Sequence, residues 1–163
     1  MSRLDSFIRR VQAQRACLNR AAELIADVPG PVLELGLGNG RTYDHLRILM
    51  PDRRIFVFER QVQAHPDCIP GDEELFLGDF RETLPTAAQR MGAKAAMVHA
   101  DFGQGGGGAI ATMAQFLAET LNRLVTPGAV IVSDQPINGA GWESLPLPEG
   151  IKPRRYFIQR VPS

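Results

Sequence analysis

Three glycines at alternate positions, Gly36, Gly38 and Gly40, follow an apolar run that contains Glu34, and acidic residues close the later apolar runs at Glu59, Asp79, Asp101 and Asp134. Glycine is the residue that turns a chain sharply and lets a ligand touch bare backbone, because it lacks the Cβ that bars left-handed conformations. Several carboxylates gathered at one place suit a cation, since like charges set close together repel. A dinucleotide fits poorly. Its fingerprint requires glycine where this chain has Arg41, so that the helix start can approach the strand and receive the pyrophosphate.

Each of these residues also has a plain structural reading. Glu34 either meets a ligand or ties the glycine loop together from within. Asp79 heads an Asp-x-x-Glu pattern with Glu82 and so suits a helix cap, and Asp101 can cap or turn the chain ahead of Gly103. Five strand-end carboxylates in register are harder to explain as caps alone, although aspartate favours such places for local hydrogen bonding. His99 sits inside an apolar run, where a satisfied core histidine is the default over a general base. His45 and His65 lack the spacing of metal ligands, so no metal is expected. Gly105 to Gly108 read as a loose lead into a helix rather than an anion cradle. Tyr43 and Trp142 are pocket candidates with ordinary packing as the alternative, and the arginines of the N-terminal segment read as a solvated face.

The elements that must position these groups follow from hydrophobic periodicity. Leu4, Phe7, Ile8, Val11, Leu18, Ala21, Ala22 and Ile25 give a long amphipathic helix over residues 3–28, opened by a Ser2/Asp5 capping box and stopped by Val28-Pro29-Gly30-Pro31. Short apolar runs at 32–35, 55–58, 75–77, 95–99 and 129–133 alternate with helical stretches near 41–49, 82–91 and 109–124. Such alternation makes βαβ units and a parallel sheet. The crossover over 63–74 holds two prolines and a glycine and is expected to be short, and 155–161 reads as a last strand. Ligands of open parallel sheets sit outside the carboxyl ends of the strands, which is where the acidic residues fall.

Bulk properties narrow the class. The 163 residues fit one domain, with 18 Lys plus Arg against 18 Asp plus Glu, so no net field draws the chain to nucleic acid or an anionic membrane. Cys17 and Cys68 lack CxxC spacing and read as reduced thiols. With no apolar run of spanning length and no signal-peptide core, the expected location is the cytoplasm.

S-adenosylmethionine carries a sulfonium and an ammonium and no phosphate, and Glu59, nineteen residues after Gly40, is placed to accept both ribose hydroxyls. The run Val32-Leu33-Glu34-Leu35-Gly36-Leu37-Gly38-Asn39-Gly40-Arg41-Thr42 resembles motif I of the class I S-adenosylmethionine-dependent methyltransferases. Phe56 to Arg60, Leu77 to Phe80, Ala96 to Asp101, and Leu124 to Ala129 with Asp134 resemble their later motifs, in order, over residues 32–135. The nearest likeness is to the small bacterial S-adenosyl-L-methionine methyltransferase-like group. The resemblance implies an α/β fold with a Rossmann-like, mostly parallel sheet, truncated at the C-terminal end, and a long N-terminal helix.

It also implies roles for particular residues. Gly36, Leu37 and Gly38 would lie beside the methionine half, with Glu34 supporting the loop or the ammonium. Glu59 would take the ribose, Asp79 the adenine amino group, the Phe80 N–H a ring nitrogen, and Asp101 would stand near the methionine or the transferred methyl. One domain is expected over 1–163: an N-terminal helix (1–28), a cofactor-binding core (32–135) and a short C-terminal loop and strand (136–163). Only 29 residues follow Asp134, fewer than the helix and two strands that complete the family's sheet. The exposed faces this leaves point to a homodimer or larger homo-oligomer, and the lack of a substrate domain to a small-molecule acceptor. The function expected is methyl transfer, with S-adenosyl-L-homocysteine as product; the alternative is a non-catalytic cofactor-binding or scaffold protein.

Overall fold

Ser2 and Asp5 cap each other at the start of the first helix: the Ser2 hydroxyl accepts the Asp5 N–H at 3.0 Å and the Asp5 carboxylate accepts the Ser2 N–H at 3.1 Å. In the computed structural model, which describes residues 1–103 and 105–163, this helix (α1) runs Arg3–Leu24. It ends four residues earlier than the periodicity suggests. Ala26 and Val28 donate to carbonyls three residues back instead of four, the tighter winding expected where Pro29 bars helical geometry at its predecessor.

No basic residue lies in the last turn of α1, and arginines from elsewhere take up its free carbonyls. Arg160 donates to the Leu24 carbonyl at 3.1 Å, and Arg53 donates to that of the C-cap Ile25 and, beyond the helix, to that of Gly30, each at 2.7 Å. Cationic donors there satisfy open acceptors and oppose the helix dipole. Arg53→Ala is therefore expected to cost about 1–3 kcal/mol, a fall in the thermal midpoint of roughly 2–12 °C in a chain of this size. A calorimetric melt shifted by less than a degree would contradict this account of the helix end.

The chain then alternates as its periodicity indicates: β1 (Val32–Leu35), α2 (Arg41–Leu49), β2 (Ile55–Glu59), β3 (Leu75–Leu77), α3 (Phe80–Thr83), α4 (Ala87–Met91), β4 (Ala95–Ala100), α5 (Gly107–Leu124), β5 (Val125–Ser133), β6 (Glu143–Ser144) and β7 (Phe157–Arg160). Two single 3₁₀ turns make up the short crossover before β3. The expected helix over 82–91 is broken by a 3₁₀ turn at Leu84–Thr86, where Pro85 lacks the N–H the ladder needs.

Seven strands form one sheet in the order β3-β2-β1-β4-β5-β7-β6. The first five are mutually parallel and β7 runs antiparallel to both of its neighbours. The truncation falls on a helix rather than on the strand order: among the described residues no helix lies between β5 and β6, and β6 is reduced to two residues.

Both faces of the sheet are covered, as parallel sheets require. Leu33, Leu35, Phe56, Phe58, Val98 and Ile131 belong to the core beneath α4 and α5, while Val32, Val57, Met97, Val130 and Val132 belong to the core beneath α1 and α2. This alternation follows the strand period of two, and it assigns Glu34 and His99 to the α1 face. The first half of α1 leaves that core, with Leu4, Phe7 and Ile8 exposed. Among the described residues no helix is long and apolar enough to cross a membrane.

Candidate functional site

The loop between β1 and α2 turns through three residues of positive φ: Gly36 at 93°, Gly38 at 53° and Gly40 at 86°. Gly40 is the most constrained, because a Cβ there would overlap the Cys68 and Ala64 side chains in a backbone region that L-residues rarely adopt. The loop hangs from β2 by charge-assisted bonds. Glu59 Oε2 accepts the N–H of Leu37 at 2.8 Å and of Gly38 at 3.1 Å, while Oε1 accepts the Arg60 N–H at 2.7 Å.

Asp79 ends the turn after β3 and serves as the N-cap of α3, accepting the Arg81 N–H at 2.9 Å. Its other oxygen accepts from Arg60 at 2.7 Å. These bonds, the Arg81 N–H foremost, hold its carboxyl below the usual aspartate value. The cap and cavity readings of Asp79 thus coexist, since the same residue also borders the cavity. Asp134, beyond β5, accepts the N–H groups of Phe102 and Gly103 at 3.0 and 2.9 Å and fixes the turn after β4. Burial and the nearby Asp101 raise its pKa.

These strand ends enclose a cavity of about 590 Å³. Of the residues singled out in the sequence, Gly36, Leu37, Gly38, Glu59, Asp79, Phe80 and Asp101 border it, whereas Gly40 lies behind the loop and Glu34 is absent from the wall. Glu34 is fully buried on the opposite side of β1 from Leu33 and Leu35. The parallel register sets it beside His99, whose Nδ1–H donates to Glu34 Oε1 at 2.6 Å. Glu34 therefore lies beneath the sheet edge, paired with His99, and is not part of the cavity wall.

A buried polar chain continues from this pair. His99 Nε2 lies 2.6 Å from the Tyr156 hydroxyl, Gln14 donates to that hydroxyl at 3.2 Å, and Gln14 also donates to Asp101 Oδ2 at 3.2 Å. Burial alone lowers the imidazole pKa, but the Glu34 carboxylate and the more distant Asp101 and Asp134 outweigh it, so the net displacement is upward. Burial also pushes the Tyr156 phenol up. With no exposed surface and both ring nitrogens engaged, His99 is a structural histidine rather than a base for an incoming substrate.

The roof of the cavity escaped sequence reasoning. Phe7, Arg10, Val11 and Gln14 of α1 border it, together with Arg41 and Thr42 from α2 and Met113 from α5. Gln14 supplied a signal: it is a polar residue on the face that also holds Val11 and Leu18, one turn to either side, as a helix repeating every 3.6 residues requires. Tyr43 takes the packing reading, buried under α1. Trp142 packs against the other core, donating its indole N–H to Asn122 at 2.8 Å. Gly107 and Gly108 begin α5. Both cysteines are free thiols, and burial raises Cys17 to about 11.

A family model described as S-adenosyl-L-methionine methyltransferase matches residues 1–161. Among solved structures the chain is similar to an S-adenosyl-L-methionine methyl transferase from Silicibacter pomeroyi DSS-3, with 46% identity over 98% of this chain and 99% of that one and a TM-score of 0.90. It shares its fold with the plantazolicin methyltransferase BpumL, seen in complex with SAH, at 11% identity over 79% of this chain and 49% of that one, TM-score 0.57. The same fold recurs in an O-methyltransferase family protein from Burkholderia thailandensis, at 13% identity over 90% and 55% of the two chains, TM-score 0.54. This chain spans about half the length of those two proteins. No curated protein matches it.

Proposed function

Because the chain belongs to the S-adenosyl-L-methionine methyltransferase family and has the class I fold, we propose that its cavity holds S-adenosyl-L-methionine and that it transfers a methyl group to a small acceptor. The observation that carries this reading is the convergence of the glycine loop, Glu59, Asp79 and Asp101 on one hollow at the carboxyl ends of the strands. The donor set fits the cofactor. Carboxylates match a sulfonium, an ammonium and a pair of ribose hydroxyls, and the bare backbone at Gly38, where a Cβ would meet no atom of the described residues within 4 Å beyond its chain neighbours, admits close approach.

When bound, the cofactor supplies an electrophilic methyl on sulfur. The chain's own residues hold and orient. Glu59 accepts the ribose hydroxyls while keeping the loop amides in place, Asp79 and the Phe80 N–H receive the adenine, and Gly36, Leu37 and Gly38 border the methionine half. Asp101 stands at the methionine end, steadied by Gln14. Glu34 is a positioning residue that works through His99 and β1. The first half of α1 roofs the cavity and keeps water from it, and on this reading residues 1–163 act as a single unit.

Calorimetric titration with S-adenosylhomocysteine and with NAD tests the cofactor assignment. One-to-one binding of the first and none of the second is expected. No heat with S-adenosylhomocysteine at millimolar concentration, or binding of NAD instead, would remove the proposal. Incubation with S-adenosylmethionine and fractionated small molecules, read by mass spectrometry, then tests turnover, for which acceptor-dependent S-adenosylhomocysteine is the expected signal.

A further inference from the structure

The cavity wall carries more positive than negative charge. Among the described residues it contains the guanidinium groups of Arg10, Arg41, Arg60 and Arg81 and the carboxylates of Glu59, Asp79 and Asp101. The two sets divide by partnership. Asp79 engages Arg60 at 2.7 Å and Arg81 at 3.6 Å, Glu59 is committed to the loop amides, and Asp101 accepts from Gln14. Arg10 and Arg41 are in no ion pair among the described residues. They stand on the two helices that flank the opening, the Arg41 guanidinium 6.0 Å from the centre of the Phe7 ring.

Unpaired arginines on a helix are ordinarily a solvated face, and Arg3, Arg9 and Arg15 of the same helix fit that description, while Arg20 pairs with Glu23 at 3.0 Å; none of the four borders the cavity. Arg10 differs by its place. The face of α1 that packs on the core at Cys17, Leu18 and Ala21 continues through Gln14 to Val11, Arg10 and Phe7, where it has no protein beneath it and overhangs the hollow. That stretch presents apolar surface and a guanidinium side by side. Phe7 is 44% exposed, and Val11 and Met113 border the same space.

Resting on the cofactor reading above, we propose that Arg10 and Arg41 clamp the methyl acceptor, and that the acceptor is a small organic anion, a carboxylate or phosphate with an apolar body that lies against Phe7 under the roof of α1. Charge balance supports the assignment. The cofactor brings a sulfonium, an ammonium and a single carboxylate, so the loaded site is more positive than the empty wall and favours an anion as the remaining guest. The guanidinium fork matches a carboxylate or phosphate in bidentate fashion.

The test is calorimetry on protein saturated with S-adenosylhomocysteine, titrated with benzoate, phenyl phosphate and the neutral isostere benzamide. The anions are expected to bind at least about tenfold more tightly than the amide, and Arg10→Gln and Arg41→Gln to abolish that preference while changing affinity for S-adenosylhomocysteine by less than about threefold. Both side chains are exposed, so unchanged melting curves are expected to accompany the loss.

Anions that bind no better than benzamide would overturn the proposal. So would variants that lose S-adenosylhomocysteine but retain methylthioadenosine, which lacks the amino-acid carboxylate, because the arginines would then serve the cofactor instead. Wild-type protein that binds no S-adenosylhomocysteine sinks the cofactor reading itself and this inference with it.

Discussion

Glu59→Ala is expected to weaken S-adenosylhomocysteine binding by about 100-fold, a loss of about 2.7 kcal/mol. Two separate contributions add to that figure. The carboxylate anchors the glycine loop through the Leu37 and Gly38 N–H groups, charge-assisted bonds that hold the loop ready for the ligand. Without them the loop must be ordered by the ligand, which then bears the entropy. The second contribution is the loss of the proposed ribose acceptor. Glu59→Gln separates the two: the amide oxygen can still accept from one loop N–H, so this variant is expected to fall between wild type and alanine. Calorimetry reads all three, and an alanine variant within threefold of wild type would show that neither contribution operates.

The strand ends were legible because their chemistry is local. A glycine that must take positive φ, a proline that stops a helix and a carboxylate that closes an apolar run each leave a mark in one short segment. Glu59, Asp79 and Asp101 were found on such marks, and the β1, β3 and α2 boundaries follow from them. What escaped depends on how distant segments meet. Phe7, Val11 and Leu18 read as one apolar stripe, and nothing in that stripe tells which half lies on the sheet and which half projects beyond it. The overhang of α1, and with it the difference between Arg10 and its solvated neighbours, is fixed only when the helix is laid across β5 and β7. The two readings of Glu34 stay open in the sequence for a related reason. Its strand period assigns it to one face of the sheet, but only the assembled layers show that this face is sealed by α1 and Tyr156. Parallel strands are buried on both sides, so a carboxylate inside one needs an internal partner, and His99 was that partner at a separation of 65 residues.

That pairing sets the second large effect. Neither Glu34 nor His99 has exposed surface, and removing one member of a buried ion pair leaves the other uncompensated, at about 3–5 kcal/mol. His99→Phe is therefore expected to lower the thermal midpoint by roughly 6–20 °C, and the double variant Glu34→Leu/His99→Phe to recover part of the loss, because it removes the orphaned carboxylate as well. A double variant less stable than either single one would refute the account. The pair also fixes the sign of a pH dependence. The imidazole pKa is raised in the folded state, so the fold binds that proton more tightly than the unfolded chain does. The resulting stability is fully present below the ordinary imidazole value of 6.5 and is lost as the pH climbs through the raised one. Melting curves from pH 6 upward should show the wild-type midpoint falling while the double variant, with no titrating group at either position, loses that slope. Since the chain of bonds from His99 through Tyr156 and Gln14 reaches Asp101, the same titration should loosen the α1 roof and weaken S-adenosylhomocysteine binding in wild type, and leave it level in the double variant.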